Sequence, residues 1–488
     1  MTQLHIPHEQ VEDSNTSTNP HFDALLQARL SRRSVLGGGV GMTAAMMFGG
    51  AALTGCVGSS DDDSEAPAPV TPDAPKSLTF TPVAKNKLDV VTVPADYEVS
   101  VLYALGDPII NSVDVPAWKD DGMQSGASFE FRSGDCHDGM HYFGLTDAGK
   151  FTATRSDRGL LCVNHEYVIP TFLHPNGATT DADGKRPADE VRREVNAHGI
   201  GVIEVKRDEN SNKMTLVKSS RFNRRVTSMT TCDLTGPAAG KDIMITKFST
   251  NGLLTRGINN NCGNGYTPWG TYLTCEENFN NNFGTQTAGD TRTAAQIRYG
   301  ITAGATQYGW ELQHSRFDYK QEPNESNRFG WIVEIDPFDP TSTPKKHTAL
   351  GRFKHENAAW TLAADKRLVV YMGDDQANDY IYKFVSDAKY VEGDVLNNRR
   401  LLEAGKLYVA KFNDGTATGD FMGTGEWILL DKSANSILAA DTRFASQAEV
   451  LIHARMAGDA VGATKMDRPE WVAVSPKSGE VYATLTNN

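Results

Sequence analysis

GLLCVNHEY, residues 159–167, carries a thiol, an amide and a carboxylate at alternate positions. Read as a strand, it sets Cys162, Asn164 and Glu166 on one face, and that face suits metal ligation better than core packing. Other strand-like segments end or begin with acids: Glu276 and Glu277 in LTCEEN, Glu356 in KHENA, Asp374 and Asp375 in MGDD, Glu470 in RPEW. Carboxylates gathered from such distant segments would repel one another and resist desolvation, so a shared site needs cations. Hard carboxylate and amide oxygens suit calcium, magnesium or manganese, whereas a thiolate calls for a softer ion such as iron or zinc. A mixed-metal site is expected. Cys136 in GDCHDGMHYF, with His137, Asp138 and His141 beside it, is the rival thiolate, and strand alternation favours Cys162. Taken singly, each acid is equally a solvated strand end and each thiol a small buried hydrophobe.

These groups must be held by a large fold. The 488 residues are 39% apolar and 22% charged, enough for one large domain or two medium ones. A net charge of -13 argues against nucleic acid or anionic lipid as a partner. Residues 1–56 read as a targeting segment. Arg32 and Arg33 open a stretch with no charge from Ser34 to Ser60, and its seven glycines between Gly37 and Gly55 make it too weakly apolar for an anchor. This is a twin-arginine signature, so the twin-arginine export machinery is an expected partner and the periplasm, envelope or exterior the destination. Leu53-Thr54-Gly55-Cys56 matches a lipobox, making Cys56 a candidate lipid anchor. Residues 57–77 are a Pro-rich acidic tether, and 78–488 the folded domain.

Within that domain, short alternating apolar runs dominate: ITKFSTNGLLT, GTYLTCEEN, GWIVEIDPFDP, RLVVYMGDD, GEWILLD and WVAVSPKSGEVYATLT. One helix stands out, ADEVRREVNAH at 188–198, leading into a strand at 201–205. Residues 355–375 and 469–488 echo each other: a glutamate, an aromatic, a strand, a Lys-containing turn and a returning strand. Repeated antiparallel units of this kind predict an all-β propeller, whose strand ends would converge on one central opening. Cys262 and Cys275 flank a candidate hairpin and are the best disulfide pair among six cysteines.

SRRSVLGGG, HDGMHYFGL, GLLCVNHEY, NAHGIGVIEV, TPWGTYLTCEEN, RFGWIVEIDPFDP, GRFKHENAAW, YMGDDQANDYIYKFVS and RPEWVAVSP together resemble the PhoX-type secreted alkaline phosphatases, from Ser31 to the end of the chain. The resemblance implies a six-bladed propeller and hydrolysis of phosphate monoesters at a central site of Ca2+ and Fe3+ with one cysteine ligand. It maps ligands onto Cys162, Glu276, Glu356, Asp374 and Glu470, with Glu166, Glu277 and Asp375 as further candidates. It also implies a segment beyond Asn488, so the last blade is expected to be incomplete and the chain as written prone to aggregate, with little activity.

For the chemistry, a phosphate dianion needs the acids neutralised and net positive charge presented to its oxygens. No Ser or Thr lies in an obvious nucleophile motif, which agrees with attack by an oxygen activated by metal. Arg352 is a candidate phosphate clamp, with His355 and Lys383 as weaker ones, because guanidinium matches two phosphate oxygens at once. A monomer acting on a small phosphate ester is the leading reading. A calcium-dependent lactonase or phosphotriesterase-like propeller and a non-catalytic metal-binding surface propeller are the alternatives.

Overall fold

The computed structural model describes residues 80–119, 121–413 and 423–486. The twin-arginine and lipobox readings, the tether at 57–77, and Asn487 and Asn488 lie outside the described residues. Residues 80–100 form turns and bends without helix or strand, with Phe80 edge-on to Tyr97. A separate compact unit begins at Val101 and holds every described strand. No helix among the described residues is long and apolar enough to cross a membrane.

Sheet predominates, as the alternating runs predict, in curled layers that are antiparallel except where Lys345–His347 pairs in parallel with Thr231–Thr235. The first layer centres on His137–Leu145, Arg158–His165 and Gly199–Arg207. The second runs from Leu254–Arg256 through Thr231–Thr235, Lys345–His347, Ile332–Ile335 and Tyr272–Glu276 to Asn261–Tyr266. A third is a plain meander of Ala359–Leu362, Arg367–Gly373, Ile381–Lys389, Gly405–Phe412 and Gly425–Leu429. Pro469–Val474 and Val481–Leu485 pair as a final ribbon.

The echo in the sequence is a structural repeat. In four antiparallel pairs spread along the chain, one strand starts near an acid or thiol and its partner returns to the same end: His137–Leu145 with Arg158–His165, Asn261–Tyr266 with Tyr272–Glu276, Ala359–Leu362 with Arg367–Gly373, and the final ribbon. The leading strands lie against one another backbone to backbone. A Cβ on Gly263 would strike the Glu356 carbonyl and one on Gly265 the Ala358 carbonyl, so only glycine permits this approach. Gly265 and Ala358 form a parallel bridge, which brings the starts of these strands to a common end.

Helix is more plentiful than the sequence suggests. Ala188–Ala197 forms as predicted, with Asp189 and Glu190 in its first turn against the helix dipole and Val191 and Val195 buried. Gln447–Ile452 and Ala454–Val461 are additions that pack beneath the third layer, where Leu451, Ala454 and Ala457 join Phe353, Tyr382 and Leu407. Of ITKFSTNGLLT, only its end enters a strand, Leu254–Arg256; the rest follows the short helical turn Asp242–Met244 as a series of tight turns. Cys262 and Cys275 are both free thiols, because they occupy opposite faces: Cys275 packs in the apolar cluster of Leu273 and Phe353, while Cys262 faces Glu356.

Candidate metal centre

The common end of the hairpins gathers acids from four chain segments. Asp138, Glu166 and Cys262 have ligand atoms within 4.8 Å of one another, as do Cys262, Glu277 and Glu356. Cys262 belongs to both groups, and its thiol donates to the Glu356 carboxylate at 3.4 Å. Backbone bonds fix these positions. The Glu166 amide donates to the Cys136 carbonyl (3.0 Å), that of Glu277 to Asn260 (2.9 Å), that of Glu356 to Gly373 (3.2 Å) and that of Asp375 to Lys354 (3.0 Å).

Charge is concentrated here. Burial, then Glu470 and Asp375, push the Glu356 carboxyl up to about 8. Burial and Asp138 push Glu166 up to about 7, and burial with Glu356, Asp375 and Glu166 raises Glu277 strongly. Burial and then Glu277, Glu356, Asp138 and Glu166 raise the Cys262 thiol. Cys136 lies at the edge, half-buried beside Asp135, Glu166 and Tyr167, its thiol pushed up to about 12 by burial and by Asp135. Its backbone φ of +38° is a left-handed conformation rare for a side chain of this kind. Two cations border the acids. Arg468 grips Asp375 through both oxygens (2.8 and 2.6 Å) and reaches Glu470 (3.2 Å), while the Lys354 ammonium holds Asn278 (2.9 Å) and Gln376 (2.8 Å).

Several sequence candidates are placed elsewhere. Cys162 points into an apolar cluster with Phe143, Leu160, Val202 and Ile335, where burial raises its thiol. Asn164 shares that inward face: its amide donates to the Cys262 and Gly263 carbonyls and accepts from Tyr272 and Thr274, which uses its bonding capacity. The face read as a ligand row is thus a packed interior, and Glu166 lies past the strand end at His165. The two acid pairs split by parity. Glu276 turns inward to the Lys346 ammonium (2.8 Å) and the amides of Asn259, Gly330 and Trp331. Asp374 turns inward to a two-pronged pair with Arg455. Their neighbours Glu277 and Asp375 face the acid cluster.

Nor do the proposed clamps reach it. Arg352 is 2% exposed and spends its guanidinium on the carbonyls of Phe329 (2.9 Å), Ser326 (3.0 Å) and Ile452 (3.3 Å), stacked over Tyr299. His355 is fully buried, bonded to the Gly351 carbonyl and tilted against the Phe353 ring, with burial driving its imidazole down to about 3. Lys383 lies over Tyr408 and Trp427 on a sheet face. The residues the sequence reading undervalued are Asp138, Cys262, Lys354 and Arg468. The repeat was the available signal: Asp138 and Cys262 stand near the start of a leading strand, as Glu356 and Glu470 do.

Carboxylates with displaced protonation and thiols among them form a donor set that fits hard cations together with a softer one. A solved structure of Pseudomonas fluorescens PhoX in complex with vanadate, a transition state analogue, is 44% identical with a TM-score of 0.75, over 81% of this chain and 66% of that one. The present chain therefore spans just under two thirds of that protein's length. No curated protein matches. The family model for alkaline phosphatase PhoX matches residues 78–488, and the chain belongs to that family.

Proposed function

We propose that this protein is an exported, metal-dependent phosphatase that hydrolyses phosphate monoesters on a six-bladed β-propeller, with calcium and ferric iron at the acid cluster. The observation that carries the reading is the convergence of Asp138, Glu166, Glu277, Glu356 and Cys262 from separate hairpins into two interlocking groups. Such a cluster is costly without cations and finds a use once they bind. That the P. fluorescens relative is solved in complex with vanadate, a transition state analogue, supports phosphoryl chemistry as the reading for this family member.

In this reading Asp138, Glu166, Glu277 and Glu356 hold the metals, with Glu470 at the border. The soft ligand is Cys136 or Cys262, both of which neighbour Glu166, rather than Cys162. When bound, calcium and iron supply positive charge and Lewis acidity to the phosphoryl oxygens. The protein's own groups do the rest. Arg468, a third exposed, can release one of its two carboxylates to meet the incoming dianion, and Lys354 adds a second cation behind Asn278. Asp375 and Glu470 orient Arg468, so the clamp lies at 468 rather than 352. Lys346 and Arg455 neutralise Glu276 and Asp374 so that these inner acids brace the strand ends without competing for metal.

The test is hydrolysis of a chromogenic phosphate monoester, diester, triester and lactone by protein exported through its native route. Monoester turnover that a chelator abolishes and calcium restores is expected. Lactone or triester turnover without monoester turnover would replace this reading with the lactonase-like one. No turnover by a complete, metal-loaded protein would replace it with a binding propeller.

A further inference from the structure

A cavity of about 710 Å³ opens beside the helix Ala188–Ala197, and none of the cluster acids lines it. Its size is that of a site for a small organic ligand. In a chain of net charge -13, its wall is cationic: Arg192, Arg224, Arg225 and Arg256 line it, against one carboxylate, Glu130. Arg225 is 8% exposed and bonds only carbonyls, among them Ile200 and His198 at 2.9 Å each. Arg224 bonds the carbonyls of Pro340 and Asp336 and the Ser342 hydroxyl, and its buried Nε has no partner among the described residues. Neither guanidinium pairs with a carboxylate there. Arg256 is exposed and makes one long bond, to the Met229 carbonyl at 3.4 Å.

Arg192 pairs with Glu130 at 2.9 Å, but the two side chains are 51% and 43% exposed, so the pair contributes little and yields readily to a competing anion. His314, which also lines the cavity, is held down to about 4 by burial and then by Arg316 and Arg256, consistent with a locally positive potential. Ile110, Phe131 and Met229 supply apolar lining.

We propose that this groove binds an organic phosphate or phosphonate dianion, with Arg192 and Arg256 on the anionic head and Phe131 and Met229 against the apolar part. Guanidinium matches the paired oxygens of such a head in a way that a carboxylate-rich surface cannot. The groove would be a place where substrate or analogue is held without being hydrolysed.

The test is equilibrium dialysis of phenylphosphonate and of inorganic phosphate against the metal-loaded full chain, compared with Arg192→Ala/Arg256→Ala. Both side chains are solvent-exposed, so the double variant keeps the fold. Two classes of phenylphosphonate site are expected in the wild type, one of them weakened at least tenfold in the variant, while turnover of a monoester at low concentration stays unchanged. Phenylphosphonate should also bind this class more tightly than inorganic phosphate. A single class in the wild type, two intact classes in the variant, or no preference over inorganic phosphate would each overturn the assignment.

Discussion

Replacing Glu356 by Gln should stabilise the metal-free protein at alkaline pH, the reverse of the usual effect of altering a buried side chain. Glu356 is 5% exposed. Burial and then the nearby Glu470, Asp375 and Asp138 carry its carboxyl from the usual 4.5 to about 8. In the unfolded chain it ionises near the lower value, while in the folded metal-free chain it keeps its proton until the upper one. Stability is therefore fully present below 4.5, is lost as pH rises through the window, and levels off above about 8. Each pH unit is worth about 1.4 kcal/mol, which caps the loss at about 5 kcal/mol; relaxation of the neighbours trims it to a few. Gln cannot ionise, so the stability of Glu356→Gln relative to wild type should rise by about 2–5 kcal/mol between about pH 5 and about pH 8.5. Urea unfolding with a chelator present, followed by circular dichroism, measures this difference and cancels groups common to both chains. Added calcium should invert the order, because only the wild type keeps the full ligand set and the stability that binding confers. A difference that does not change with pH, or a variant less stable than wild type at the alkaline end, would refute the reasoning.

The thiols separate by iron content: Cys136→Ser or Cys262→Ser should lower bound iron, while Cys162→Ser should keep it and lose about 1–3 kcal/mol by putting a hydroxyl in an apolar cluster. Iron lost only in Cys162→Ser would reverse the assignment. Lys346→Met should cost about 3–5 kcal/mol in thermal or urea unfolding by leaving Glu276 charged and unpaired, and adding Glu276→Gln should recover part of it; equal stability of wild type and single variant would show that the pair is inert. Replacing Arg32 and Arg33 by Lys should leave precursor in the cytoplasm, since the pair is a receptor-read address, and normal export on fractionation would reject that reading.

Hairpin repeats were the most legible feature, because strand alternation and turn residues act locally. The echo between residues 355–375 and 469–488 corresponds to two paired hairpins, and the helix at Ala188 starts where its acids and buried valines place it. Which face of a strand is wet was not legible. Cys162 and Asn164 alternate as expected, but the neighbouring layer brings Tyr272 and Thr274 onto their face and makes it an interior. For the same reason the doubled acids at 276–277 and 374–375 could be recognised as strand ends but not sorted. The cations that claim the inner member, Lys346 and Arg455, lie 70 and 81 residues further along the chain. Arg352 looked like a clamp because its motif adjoins Glu356, yet carbonyls from two other segments take its guanidinium.

The central claim is that Glu277, and not the adjacent Glu276, holds metal. Metal analysis of the exported chain by plasma mass spectrometry, comparing wild type, Glu277→Gln and Glu276→Gln at equal folded protein, tests it most directly. Calcium and iron should fall sharply in Glu277→Gln and stay near wild type in Glu276→Gln; the opposite order, or full metal retention in Glu277→Gln, would contradict the account.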